Sequence, residues 1–311
     1  MRKKIIIDCD PGVDDALALI LALHSPEVKV LAVTGVNGNV SLPKVMINIR
    51  RVLTLLQPSH PPWVAKGAER PLKGNPRYAE SFHGQDGLGG AKIREHREGM
   101  WWQDFPGPAD ELLPWFARQN DQEITLIAVG PLTNLALAWQ RDPDGMKRLK
   151  EVVIMGGAVR TGGNVTSYAE FNFFVDPLAA KIVLESGLPI TLVPLDATHQ
   201  VPLTPETMED RVSPFQNPFS QFVIGATGYD PERKKFAEGK DGFYLHDPLA
   251  VGAVIHPEVV RKESLFLSVE TGENEFYGQS REVPCGGKRV EVCLGVDRAE
   301  FLDLFLSRLE G

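Results

Sequence analysis

Three cysteines in 311 residues, Cys9, Cys285 and Cys293, are too few and too irregularly spaced for a disulfide framework or a thiolate metal site, and they suit a reducing compartment. Basic charge is scarce too. Against 41 aspartates and glutamates stand 33 lysines and arginines, a formal charge of -8 with no long basic run. That balance excludes nucleic-acid backbones and anionic membranes as partners and leaves small neutral or weakly charged ligands. No apolar run is long enough to span a bilayer, and the start Met1-Arg2-Lys3-Lys4 does not lead into an export signal, because the apolar stretch ends at Asp8. The expected location is the cytoplasm. No repeat, low-complexity tract or linker divides the chain, so one domain over residues 1–311 is expected. Apolar residues make up 43% of it, ample for a large core.

What the sequence does have is carboxylates crowded behind a strand. Ile5-Ile6-Ile7 reads as a buried parallel strand, Pro11-Gly12 stops it, and from Asp14 the apolar spacing becomes helical. Asp8, Asp10, Asp14 and Asp15 therefore gather at a strand's carboxyl end, where open α/β sheets bind ligands. Like charges this close require protons or a cation to compensate them. An all-oxygen set without histidine or cysteine favours a hard ion, calcium or magnesium, over zinc. Alternation puts Asp8 and Asp10 on one face and Cys9 on the other, in the core. Helix capping accounts for Asp14 and Asp15 but not for Asp8 and Asp10.

The remaining chain repeats the same unit. Strands are expected over 28–36, 123–129, 152–155 and 190–193, with helices over 44–56, 109–119 and 177–186, from Gly130-Pro131-Leu132-Thr133-Asn134 onward, from His246-Asp247-Pro248 onward, and over 298–309. This order predicts an α/β fold: an open, mostly parallel central sheet flanked by helices. Residues 66–108, rich in Gly, Pro, His and aromatics, form a long loop-rich insertion, read as a lid. Within it Trp101 and Trp102 are assigned to packing rather than to stacking on a ligand. The stretch 202–242 reads as mostly helical. Asn39 stands just beyond a strand end, where its amide can bind a ligand hydroxyl or simply make a turn. Asn164, Glu170 and Asn172 offer donors and acceptors suited to the hydroxyls of a sugar.

The run Asp8-Cys9-Asp10-Pro11-Gly12-Val13-Asp14-Asp15-Ala16 resembles the N-terminal signature of the inosine-uridine nucleoside hydrolase family, calcium-dependent N-ribosidases. Later motifs of that family are resembled, in order, by Gly130-Pro131-Leu132-Thr133-Asn134, Met155-Gly156-Gly157, Asn164 with Glu170-Phe171-Asn172, and His246-Asp247-Pro248. Together these span most of the chain. The resemblance implies Ca2+ held by Asp10, Asp15, Asp247 and the main-chain carbonyl of Val129, where many relatives carry threonine. It implies Asp10 as the base that takes a proton from the attacking water, with Asp8 orienting the other carboxylates. Asp14, Asn39, Asn164, Glu170 and Asn172 would grip the ribose, although an additional glycine precedes Asn164. His246 is the implied acid for the leaving base, with His83 and Tyr229, the latter on a helix bordering the pocket, as base contacts.

Purine-specific members have tryptophan just before the late aspartate, so His246 implies a pyrimidine-preferring or non-specific enzyme. A homodimer or homotetramer acting in purine and pyrimidine salvage is implied as well. Two other readings are a non-catalytic calcium-dependent nucleoside or sugar binding protein and a haloacid-dehalogenase-like phosphatase with Asp8 as nucleophile. The second is disfavoured by Gly12, since that family wants threonine or valine there.

Overall fold

Ten strands, eight of them parallel neighbours, make the central sheet. The computed structural model describes residues 2–93, 101–236, 242–286 and 288–310. In chain order the strands are β1 (Lys3–Cys9), β2 (Val28–Gly35), β3 (Trp63–Lys66), β4 (Gln103–Asp104), β5 (Ile124–Ala128), β6 (Glu151–Met155) and β7 (Ile190–Val193). Four short ones follow, β8 (Pro202–Leu203), β9 (Tyr229–Asp230), β10 (Lys235–Phe236) and β11 (Phe243–Tyr244), then β12 (Val260–Val269), β13 (Ser280–Val283) and β14 (Arg289–Val296). The sheet order is β13-β12-β14-β7-β6-β5-β1-β2-β3-β4, and only the pairings of β12 with β13 and β14 are antiparallel. β8 pairs with β11, and β9 with β10, as separate antiparallel ribbons.

The chain starts in the middle of this sheet. From β1 it moves through β2, β3 and β4 to one edge, then returns to β5 on the other side of β1. The strand order therefore reverses between β1 and β5, and a crevice opens beyond their carboxyl ends. β1 is buried on both faces, which is why it reads as a continuous apolar run rather than an alternating one. Its even and odd residues nonetheless enter different layers. Ile5, Ile7 and Cys9 pack with the helices Val13–His24, Leu42–Leu56, His246–Ile255 and Arg298–Ser307. Ile6 packs with Ala109–Gln119, Thr133–Arg141 and Pro177–Glu185.

The insertion is less irregular than its composition suggests. Gln103–Asp104 returns to the sheet as the edge strand β4, and Glu80–His83 makes one helical turn. Trp102 is buried with the Arg50 guanidinium 5.8 Å from its ring centre, in keeping with a packing role. Residues 94–100 of the insertion and 237–241 of the later helical stretch lie outside the described residues. Within that later stretch, Pro218–Thr227 is helical but Gly228, at φ +67°, ends the helix, so Tyr229 begins β9 instead of lying on a helix. Left-handed backbone of this kind strongly favours glycine at a helix end.

Candidate active site

Each aspartate of the opening run is held differently. Asp8 faces the layer of helix Thr133–Arg141, where its Oδ1 accepts hydrogen bonds from the Asn134 side-chain amide at 2.7 Å and from the Thr34 hydroxyl. It is wholly buried, and its bonds to Asn134 and Thr34 tie it to the neighbouring helix and strand. Asp10, also 0% exposed, lies past the strand end between Gly38 and Gly130. A Cβ on Gly130 would stand 2.6 Å from its Oδ1, and one on Gly38 would collide with its Oδ2. The Asn39 backbone N–H donates to Oδ2 at 2.5 Å, while Oδ1 has no partner.

Asp15 is the hub. Its Oδ1 accepts from the Asp10 N–H at 3.0 Å, and its Oδ2 from the Gly12 N–H at 2.9 Å and the Asn39 side-chain amide at 3.0 Å. The carboxyls of Asp10 and Asp247 stand close enough to it to affect its proton affinity. Asp247 arrives at the start of helix His246–Ile255, which packs along helix Val13–His24 and so brings a late segment of the chain to the first strand. Asp14, Asp15 and Asp247 each place one carboxylate oxygen within 4.8 Å of the others. Asp14 Oδ1 and, away from the cavity, Asp8 Oδ2 are likewise buried oxygens without a hydrogen-bond partner.

Burial raises every one of these carboxyls above the usual carboxylate range, and repulsion from neighbouring carboxylates adds to it at Asp8, Asp10, Asp14 and Asp247. Asp14 is pushed up to about 8 and Asp8 to about 7, with Asp10, Asp15 and Asp247 raised as well. Without compensation the cluster therefore holds protons. Unpartnered oxygens on Asp10 and Asp14 beside a converging all-carboxylate set are what a hard divalent cation requires, and the residues present fit one.

In front of the cluster opens a cavity of about 540 Å³. Asp14, Asn39, Val129, Asn164, Glu170, Asn172 and Asp247 line it, as do His83 and His246. Several of these side chains are already committed. Glu170 accepts from the Asn172 and Phe173 N–H groups, capping the short helix Phe171–Val175, and from the Gly157 N–H at 2.8 Å. The Asn172 amide donates to the carbonyls of Val129 at 2.8 Å and Met155 at 3.3 Å, which leaves its oxygen for a ligand. Asn164 Oδ1 accepts from Phe171 N–H at 2.9 Å. Asn39, expected at the sugar, spends its backbone and side-chain donors on Asp10 and Asp15.

At the aromatic part of the wall, His83 Nδ1 accepts from the Val13 N–H at 3.1 Å and lies 3.9 Å from Asp14 Oδ1. Gly12 permits this approach, since a Cβ there would meet His83 Nδ1 and the Asn39 amide at 2.7 Å. His246 Nδ1 shares a hydrogen bond of 2.7 Å with the Thr198 hydroxyl, and burial, with His199 and His83 nearby, lowers its pKa to about 3. Its ring is thus neutral before any ligand binds. Tyr229 does not join this wall. It is buried against Phe236 with its hydroxyl donating to the Pro205 carbonyl at 3.3 Å, so its expected base contact is not found.

Four lining aromatics were not singled out from the sequence: Tyr78, Phe82, His199 and Tyr244. The His199, Tyr244 and His246 rings pack together with centroids 4.9 to 5.7 Å apart. His199 carries a signal that sequence reading can use, because it closes the segment that follows β7, another strand end. Tyr244 precedes the late motif by two residues and carries no such signal.

A family model described as inosine-uridine preferring nucleoside hydrolase matches residues 5–303. The pyrimidine-specific ribonucleoside hydrolase RihA of Salmonella agona (strain SL483) is 38% identical over 317 residues, spanning 100% of this chain and 99% of the relative. Among solved structures, a plant nucleoside hydrolase, PpNRh1, is similar at a TM-score of 0.89 and 32% identity over 100% of both chains. A purine-preferring ribonucleoside hydrolase from Gardnerella vaginalis gives 0.88 and 29%, covering 99% of this chain and 98% of that one.

Proposed function

The chain belongs to the inosine-uridine preferring nucleoside hydrolase family and is a ribonucleoside hydrolase, cutting the N-glycosidic bond to free base and ribose; on that premise we propose how its residues do so. The observation that carries the reading is the pair of unpartnered buried oxygens on Asp10 and Asp14 within a carboxylate cluster at the mouth of the strand reversal. Asp10, Asp15 and Asp247, with the Val129 carbonyl, would hold calcium, and the carboxylate convergence supports Asp14 lying close by. When bound, the ion supplies positive charge that makes a water more acidic and polarises sugar hydroxyls.

The chain's own groups then divide the reaction. Water adds to C1′, the C1′–N bond breaks with its electron pair going to the base, and the water's proton goes to Asp10. The Gly38–Gly130 cradle keeps the Asp10 carboxylate in one position. Asn164, Asn172 and Asp14 bind and orient the ribose, while Glu170 and Asn39 set the backbone and carboxylates around it. Such contacts accelerate the reaction only as far as they strengthen in the transition state. His246 and His83 hydrogen-bond the departing base. Among the described residues no lysine or arginine lines the cavity, which supports unphosphorylated nucleosides as substrates.

A pyrimidine-preferring or non-specific range is supported by His246 and by the name of the RihA relative, which is called pyrimidine-specific. Salvage in the cytoplasm by a homodimer or homotetramer rests on family membership. Among the described residues no helix is long and apolar enough to cross a membrane. The deciding experiment is ribose release from a panel of ribonucleosides with calcium and with chelator. Cleavage of uridine that chelator abolishes and calcium restores is the expected result; background release across the panel would overturn the reading.

A further inference from the structure

Helix Leu42–Leu56 presents one polar stripe to the segment that carries His83. Lys44, Asn48 and Arg51 lie on the same face, spaced by four and three residues. None of them lines the cavity. Lys44 Nζ reaches Glu80 Oε1 at 2.7 Å and the Gln85 carbonyl at 2.6 Å, on either side of His83. Arg51 donates to Asp86 Oδ2 at 3.4 Å and to the Ala91 carbonyl at 3.2 Å. Asp86 in turn accepts from the N–H groups of Leu88 and Gly90, and the Gly89 N–H closes back onto the His83 carbonyl at 2.8 Å.

Asn48 makes the decisive connection. Its buried amide donates to the Asp86 carbonyl at 2.8 Å and to the Pro11 carbonyl at 3.1 Å. Pro11 is two residues from Val13, whose N–H holds His83 Nδ1. One side chain therefore fixes both partners of the Val13–His83 contact. Gly87, at φ +84°, belongs to the same fit, because a Cβ there would meet the Asn48 amide at 2.8 Å. With Nδ1 accepting, the proton of the neutral His83 ring is on Nε2.

We propose that Asn48, supported by Arg51 and Lys44, is a positioning residue that aims the His83 Nε2–H at the departing base and so sets how well the enzyme expels a poor leaving group. The proposal rests on the reading of His83 as a base contact. As the C1′–N bond breaks, charge accumulates on the base, and a hydrogen bond placed there matters in proportion to the instability of that anion. A misplacement of about 1 Å in such a group is enough to cost up to about a hundredfold in rate.

The test compares two substrates in the full-length, calcium-loaded enzyme: uridine, and p-nitrophenyl β-D-ribofuranoside, whose anion departs without help. Asn48→Ala is expected to lower kcat/KM on uridine by about tenfold or more while changing the aryl riboside by less than about threefold. Arg51→Gln, at a more exposed position, is expected to show a smaller loss with the same selectivity, and Arg51→Lys to recover part of it. Adding Asn48→Ala to His83→Ala should cost nothing further on uridine. Equal losses on both substrates, or additive losses in the double variant, overturn the inference while leaving the enzyme's activity established. A wild-type protein inert on both substrates overturns the nucleoside hydrolase reading and this inference with it.

Discussion

Asp10 and Asn39 are joined by the Asn39 N–H on Asp10 Oδ2, and their substitutions are expected to act in different ways. Asp10→Asn keeps the size of the side chain and an acceptor for the Asn39 N–H, yet removes the base, so kcat on uridine should fall about a thousandfold with little change in melting temperature. A fully active variant would refute the assignment. Asn39 lines the cavity, in keeping with its place beyond a strand end, but the sequence does not show that its amide also donates to Asp15 and its backbone N–H to Asp10. Asn39→Ala is therefore expected to weaken calcium affinity by about tenfold, read by titration, rather than only to raise KM. Tyr229 was misplaced for a related reason: Gly228 ends its helix one residue earlier, and no apolar period reveals which way the next side chain turns.

Among the elements, those with a strong period or a continuous apolar run were legible. The strands VKVLAVTG, ITLIA, EVVIM and ITLV are apolar because a parallel sheet buries both faces, and each ends where glycine, proline or a polar loop begins. The two-residue strands β4, β8 and β11 were not. They are defined by tertiary partners, Gln103 with Trp63 and Phe243 with Leu203, and their residues carry no pattern of their own. The same holds for the way the insertion is fastened. Asn134, inside a motif already visible in the sequence, joins three elements at once: Asp8 of β1, the Gly35 carbonyl of β2 and, through its oxygen, the Ala68 N–H of the insertion. Asn134→Ala removes the partners of buried groups on all three, and should cost about 2 kcal/mol or more in urea unfolding. A loss below about 0.5 kcal/mol would mean water replaces the amide.

For the whole molecule the carboxylate cluster makes stability depend on what compensates it. In the metal-free fold Asp8 and Asp14 titrate near 7 and 8, well above their value in an unfolded chain. The folded state then binds more protons than the unfolded one across the neutral range, so stability is highest below about pH 4 to 5 as regards these groups and is lost as pH rises through 7 to 8. With chelator, the melting temperature should drop by about 3 °C or more between pH 6 and 8.5. The proposed calcium ion would take the place of these protons and reverse that slope. Free calcium at about 100 times its Kd is expected to add about 2.7 kcal/mol. A chelated protein whose melting temperature is flat or rises over the same interval would count against the cluster as described. The joining of helix Val13–His24 to helix His246–Ile255 also has a temporal side. On the ribosome the aspartates of the opening run emerge long before Asp247, while β1 waits for β5 before it has both neighbours in the sheet. With the proposed ligand set, a nascent chain has the start of the ion site long before its end, and tight capture of the ion would mark a chain whose synthesis has passed Asp247.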